Sequence, residues 1–281
     1  MSRRLGACAI VLLAGCGGAS QADRPAATTT ASVRVAPRVV RRPPAPLRLP
    51  ARPPARKVVL PILMYHRIDV LRPTLSPMTR SLTVAPVTFA AQMHWLVRTG
   101  HHAVTQRQAF EALEHGGRLP PHPVMITFDD GYRDVLGKAS PLLRRLHLPA
   151  TAYVITDRIS GPDPSFLTWS QLRLLEWRGV EIGSHTVDHA PLTALDDTRA
   201  LWDLRASRAA LERHLHHPVQ WLAYPHGAED ARIVALARRV GYVLATTTHG
   251  GTVQDAAAPL ELRRIEVLDT TTVAQLAAAL G

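Results

Sequence analysis

The chain has 281 residues, 46% of them hydrophobic, with 33 Lys+Arg against 22 Asp+Glu for a formal net charge of +11. That hydrophobic share can bury a core in one large or two small domains, which excludes a wholly disordered chain. The two cysteines, Cys8 and Cys16, are too few for a disulfide scaffold or a cysteine-based zinc knuckle, and no apolar run reaches the ~18 residues of a membrane-spanning helix.

In chain order, Arg3-Arg4 is a short positive segment, Leu5 to Leu13 is apolar, and Leu13-Ala14-Gly15-Cys16 follows. This resembles a bacterial lipoprotein signal. The resemblance implies a signal peptide over 1–15, cleavage before Cys16, acylation of its thiol, and an exported membrane lipoprotein facing outside the cytoplasm. An ordinary secretory signal cut elsewhere is the alternative. Residues 16–57 are rich in Ala, Thr, Pro and Arg, in clusters such as Arg41-Arg42-Pro43-Pro44, and predict a disordered tether ahead of a folded domain over 58–281. Between Arg24 and Lys57 lie nine basic residues and no acid, whereas from Val58 onward there are 22 basic and 21 acidic. The basic excess therefore belongs to the tail, where it suits an anionic membrane or wall surface or is bare linker composition. The folded part carries no charge signature of a nucleic-acid binder.

From Val58 onward, short apolar runs alternate with amphipathic stretches. The runs predict strands over Val58–Tyr65, His102–Thr105, Val124–Phe128, Ala150–Ile155, Val180–Gly183, Trp221–Tyr224, Tyr242–Ala245 and Arg264–Val267. Between them the periodicity predicts helices over Thr88–Thr99, Gln106–His115, Ser140–Leu146, Trp169–Trp177, Thr198–Leu215 and Ala231–Val240. Repeated strand–helix units point to an α/β barrel or a doubly wound sheet. His66, Asp129 and Asp130, His185, and Pro225-His226 each follow a predicted strand. Parallel strands of a barrel open their C-terminal ends onto one face, so this placement is the main argument for an enzyme.

His185 and His189 lie four residues apart, a spacing that puts two imidazoles on one side of a helical turn. With a strand-end Asp they would make two His and one carboxylate, leaving an open metal position. His101 and His102, and His214, His216 and His217, sit beside helical stretches without a nearby carboxylate motif and are read as solvated surface. In Asp129-Asp130-Gly131, one acid could bind metal while the other takes a proton from water; the plainer reading is an Asp-Gly turn.

Thr127-Phe128-Asp129-Asp130-Gly131 and His185-Thr186-Val187-Asp188-His189 resemble the first two motifs of polysaccharide deacetylases, the NodB-homology family. Pro61-Ile62-Leu63-Met64-Tyr65-His66-Arg67 and Phe89-Ala90-Ala91-Gln92-Met93 further resemble the poly-N-acetylglucosamine deacetylase branch. The resemblance spans about Leu60 to Leu268. It implies a distorted (β/α) barrel of about seven strand–helix units and hydrolysis of N-acetyl groups on a glycan, exopolysaccharide before peptidoglycan. It also implies Asp129 as general base, and Asp130, His185 and His189 as ligands of a divalent metal, usually zinc, with nickel, cobalt or iron as substitutes. His66 is then the candidate general acid. Its other reading is a histidine packing beneath the site.

The third family motif commonly reads Arg-x-Pro-Tyr, and here Ala223-Tyr224-Pro225-His226 stands in its place. Arg264 is the candidate to replace the missing arginine. Tyr224, Pro225 and His226 are the candidate oxyanion and substrate segment, and His226 is a second candidate acid. Trp169 and Trp221 are either sugar platforms or core. A small-amide hydrolase of the same fold and a non-catalytic glycan-binding lipoprotein remain as alternatives. The expected partners are an N-acetylated glycan and the membrane, with no nucleic acid and no obligate protein partner evident.

Overall fold

The computed structural model describes residues 45–51 and 54–281. The expected signal segment, Cys16 and the tether as far as residue 44 lie outside the described residues. Seven parallel strands form the framework: β1 (Ile62–Tyr65), β2 (Pro123–Phe128), β3 (Ala150–Val154), β4 (Val180–Ser184), β5 (Trp221–Ala223), β6 (Leu244–Thr246) and β7 (Ile265–Glu266). Their order across the sheet is β6-β5-β4-β3-β2-β1-β7, with His102–Ala103 pairing beside the start of β2. Residues 262–267 close the sheet on itself. Leu262 bridges to Thr246 of β6, while Ile265 pairs with Leu63 and the Val267 N–H donates to the Met64 carbonyl of β1. The result is a seven-stranded barrel with a short seam.

The helices are α1 (Pro77–Ser81), α2 (Pro86–Arg98), α3 (Gln106–His115), α4 (Ser140–Arg145), α5 (Trp169–Trp177), α6 (Asp197–Leu215), α7 (Ala231–Val240) and α8 (Val273–Leu280). Thr105 with Gln108, Thr168 with Gln171 and Thr272 with Gln275 form capping boxes that satisfy the first N–H groups of α3, α5 and α8. Side chains on each strand alternate between two environments. Leu63, Ile126, Phe128, Ala152 and Ile182 point outward into the main core against α2, α4, α5 and α8. Ile62 and Met125 point inward and meet Phe110 and Leu113 of α3, which plugs the end where the strands begin. Burying a side chain of that size stabilises the fold by ~1.5–3 kcal/mol, so the plug is a substantial contribution.

Several boundaries move from expectation. The first strand breaks at Leu60-Pro61, since proline lacks the N–H that a ladder needs. Lys57–Val59 instead pairs antiparallel with Val253–Asp255. The folded domain also starts before residue 58. Leu47 and Leu49 pack on the α3 cluster, and the Leu47 N–H and carbonyl both bond the Gln220 side-chain amide, at 2.7 and 2.8 Å. A tether running to residue 57 is corrected accordingly: apolar residues within the Pro/Arg-rich stretch find a partner face that composition does not reveal.

Candidate active site

At the end of β2, Asp129 continues the ladder by donating its N–H to Tyr65, and then the chain turns sharply. Asp130 takes φ +74° and Gly131 φ +86°. A Cβ at Gly131 would stand 3.0 Å from the Val154 side chain, so that backbone conformation belongs to glycine.

The His185–His189 segment is not a helical turn. It leaves β4 as a loop in which Thr186 and His189 both have φ +67°. The Thr186 hydroxyl accepts the His189 N–H at 3.2 Å, and buried Asp203 of α6 accepts the Val187 N–H at 2.7 Å. Two left-handed residues thus bring the imidazoles together without the helical turn that the four-residue spacing suggests. Sequence reasoning missed both supports; a Thr after the first histidine was a visible signal for one, but nothing local marked Asp203.

The three side chains converge. His185 Nε2 lies 3.6 Å and His189 Nε2 3.7 Å from Asp130 Oδ1, and the two imidazole nitrogens face each other at 3.1 Å. His185 Nδ1 lies 2.8 Å from the Ala223 carbonyl, which orients the ring with Nε2 toward the trio. Burial, then the neighbouring His185 and His226, bring the His189 pKa down to about 3, so its ring is neutral. Neutral imidazoles and a carboxylate, with one ligand atom from each residue within 4.8 Å of the others, fit a divalent cation.

Asp129 lies beside this trio and is tied elsewhere. Arg264 donates Nη1 to Oδ1 at 2.8 Å and Nη2 to Oδ2 at 2.7 Å, with both side chains essentially buried. Burial pushes the Asp129 pKa up, but Arg264, helped by His185 and His66, outweighs it and holds the carboxyl well below the usual range. Arg264 also donates Nε to the Thr247 carbonyl at 2.7 Å, so the guanidinium is fixed at both edges. Below it lie Tyr153 and Gln106 inside the barrel, and Gly183 leaves room for the Tyr153 ring, 2.5 Å from where a Cβ would stand.

His66 follows β1, and its Nδ1 is buried without a protein partner among the described residues. His226 is exposed, in a left-handed turn at φ +58°, with its ring 4.5 Å from that of His189. Tyr224 is corrected. Its side chain is fully buried, its N–H goes to Thr246 and its carbonyl to Gly227, so it supports the turn and offers substrate no contact. Pro225 is buried in the same turn. Trp169 stacks on His214 at 3.9 Å, and Trp221 packs where β5 begins, so both are structural. His217 is corrected as well. It meets Glu176 at 2.6 Å, and that hydrogen bond raises its pKa.

The polysaccharide deacetylase family profile matches residues 116–245. YxkH of Bacillus subtilis, described among the polysaccharide deacetylases, is 30% identical over 208 residues, which cover 74% of this chain and 71% of that protein. The poly-β-1,6-N-acetyl-D-glucosamine N-deacetylase of Staphylococcus epidermidis is 27% identical over 197 residues, covering 63% of this chain and 68% of that one. Among solved structures, the Streptococcus pyogenes deacetylase PplD in complex with acetate superposes with a TM-score of 0.73 at 28% identity, covering 81% of this chain and 100% of that one. A carboxylate–histidine trio and a clamped second carboxylate at the strand ends of such a barrel agree with these likenesses: the chain belongs to the polysaccharide deacetylase family, metal-dependent hydrolases of carbon–nitrogen bonds.

Proposed function

We propose that this domain removes acetyl groups from N-acetylglucosamine polymers of the poly-β-1,6-linked exopolysaccharide class. One observation carries the reading: Asp130, His185 and His189 meet at the strand ends while Arg264 holds Asp129 beside them. The activity printed for the Staphylococcus epidermidis relative supports the choice of glycan. Asp130, His185 and His189 would hold the metal, with zinc the first candidate. When bound, a divalent ion supplies polarisation of the acetamide carbonyl and acidification of water.

The chain's own groups do the rest. Asp129 is ionised throughout the physiological range and keeps lone pairs beyond those that Arg264 occupies, so it accepts the proton of the attacking water. In this reading a backbone N–H near Pro225-His226 would hold the oxygen that gains charge. The departing amine needs a proton; His66 is our first candidate to give it, with exposed His226 as the second. The Leu13–Cys16 box supports export and a lipid anchor at Cys16, with the following residues as tether.

Acetate release from β-1,6- and β-1,4-linked N-acetylglucosamine oligomers by the zinc-loaded protein tests the reading. Faster release from the β-1,6 series is expected. Release from the β-1,4 series alone would overturn the exopolysaccharide assignment, and no release with zinc bound would overturn the enzyme.

A further inference from the structure

We propose that a basic cavity built on the segments that follow His66 and Asp130 is a subsite for an anionic substituent, a carboxylate or phosphate, on the glycan chain. The proposal deepens the deacetylase reading and rests on it. The cavity has a volume of about 610 Å³ and lies between the segment after β1, the turn after β2 and α5. Arg67, Arg72, Arg133, Lys138 and Arg178 line it, against the two acids Asp69 and Asp134. The folded part from Val58 onward has 22 basic and 21 acidic residues, so three surplus positive charges in one cavity are a local concentration.

The charges divide into fixed and free. Arg67 is held by Asp134 at 3.0 Å and Asp69 at 3.5 Å, and Lys138 also pairs with Asp69. Arg178 donates to the Leu136 carbonyl at 2.9 Å and to the Ser140 hydroxyl at 3.2 Å, neither of which neutralises it. Arg72 and Arg133 are exposed and make no ion pair among the described residues. A planar guanidinium pair left free in a concave site suits bidentate hydrogen bonding to a carboxylate or phosphate.

The cavity shares its scaffold with the catalytic centre. Arg67 directly follows His66, and Arg133 is three residues past Asp130. Tyr132 stands between, with Arg67 4.7 Å above its ring centroid and Phe166 stacked at 4.7 Å. Arg158 covers Phe166 at 5.6 Å. This ladder of two cations and two rings is a stiff wall. A cavity built on the segments that carry His66 and Asp130 suits an acid on a sugar near the one that is deacetylated. A lipid headgroup would gain nothing from sharing those segments, which favours the glycan as the occupant.

Initial rates of acetate release would be compared for three β-1,6-linked N-acetylglucosamine pentamers: neutral, carboxymethylated and phosphorylated. The expected result is an acidic-to-neutral ratio in kcat/KM of about ten, carried by KM and shrinking as salt rises. In the Arg72→Gln, Arg133→Gln double variant the ratio falls to near one; both positions are exposed, and a thermal melt checks folding. The pentamer with the larger ratio identifies carboxylate or phosphate as the natural group. Equal wild-type rates, or a ratio that survives in the double variant, would overturn the subsite. So would a variant that loses only its binding to anionic lipid vesicles. If no pentamer releases acetate, the deacetylase reading fails separately. Calorimetric binding of carboxymethylated and phosphorylated against neutral pentamer then decides: a preference abolished in the double variant supports the subsite, and no preference removes it.

Discussion

Where the strands begin, several polar groups find partners within the chain. Gln220 takes both backbone groups of Leu47, the Gln106 N–H donates to Glu181, and His217 meets Glu176. Where the strands finish, two imidazole nitrogens face each other at 3.1 Å, His66 Nδ1 is buried without a partner among the described residues, and Asp130, Gly131, Thr186, His189 and His226 all adopt left-handed backbone. The same seven strands serve both ends. The difference teaches that the finishing end is marked by ionisable groups from several strands converging on one point, as a ligand needs; left-handed backbone alone does not mark it, since His122, His147 and His216 at the beginning end share it.

The sharpest way to break this contrast is to separate metal holding from proton transfer at the finishing end. His185→Ala should lose both bound zinc and activity, while Asp129→Asn should keep zinc and lose ~10²–10⁴ in kcat, as removal of a general base does. Metal analysis beside acetate release checks the pair, and a fully active Asp129→Asn would reject the base assignment. Next in size, Arg264→Met strands a buried carboxylate and should lower stability by about 3–5 kcal/mol in urea unfolding. Adding Asp129→Asn should recover much of that stability and none of the activity.

The beginning end offers the gentler tests. Burial under the first turn of α3 pushes the Glu181 pKa up to about 7, from an ordinary value of 4.5. Between those two values the folded state holds a proton that the unfolded chain has released, so this group's stability contribution falls as pH rises through the window and stays lost above it. Glu181→Gln should remove that slope and leave the protein ~2 kcal/mol more stable than wild type at pH 8, read from unfolding curves across pH. Smallest of all, Leu47→Ala should cost about 1 kcal/mol through lost apolar contact, since the Gln220 bonds go to backbone and persist.

Much of the framework was legible because chain chemistry marks it locally. The helices Gln106–His115 and Trp169–Trp177 fall where Thr-x-x-Gln boxes open them, and Ala231–Val240 stops where Gly241 turns left-handed. The same box at Thr272 and Gln275 opened a helix that periodicity alone passed over. Six of the eight expected strands are shorter than expected, because their apolar runs continue past the paired residues, whereas Pro123–Phe128 and Val180–Ser184 each run one residue longer. At the site, residue types were legible and geometry was not. The His185–His189 spacing suggested a helix, but its meeting depends on the left-handed pair and on Asp203, which lies fourteen residues beyond His189 on α6. Arg264 was recognisable as a spare arginine on the last strand, yet its two-point hold on Asp129 depends on closure of the barrel.

That closure has a further meaning. Residues 262–267 are at once the seam of the barrel and the carrier of Arg264. Short segments with few ladder bonds open at lower free energy than the whole domain unfolds. An opening there withdraws the guanidinium from Asp129 while the other six strands stay paired. The seam therefore acts as a fuse: on warming, catalysis should fail reversibly at a temperature where most of the secondary structure is still intact.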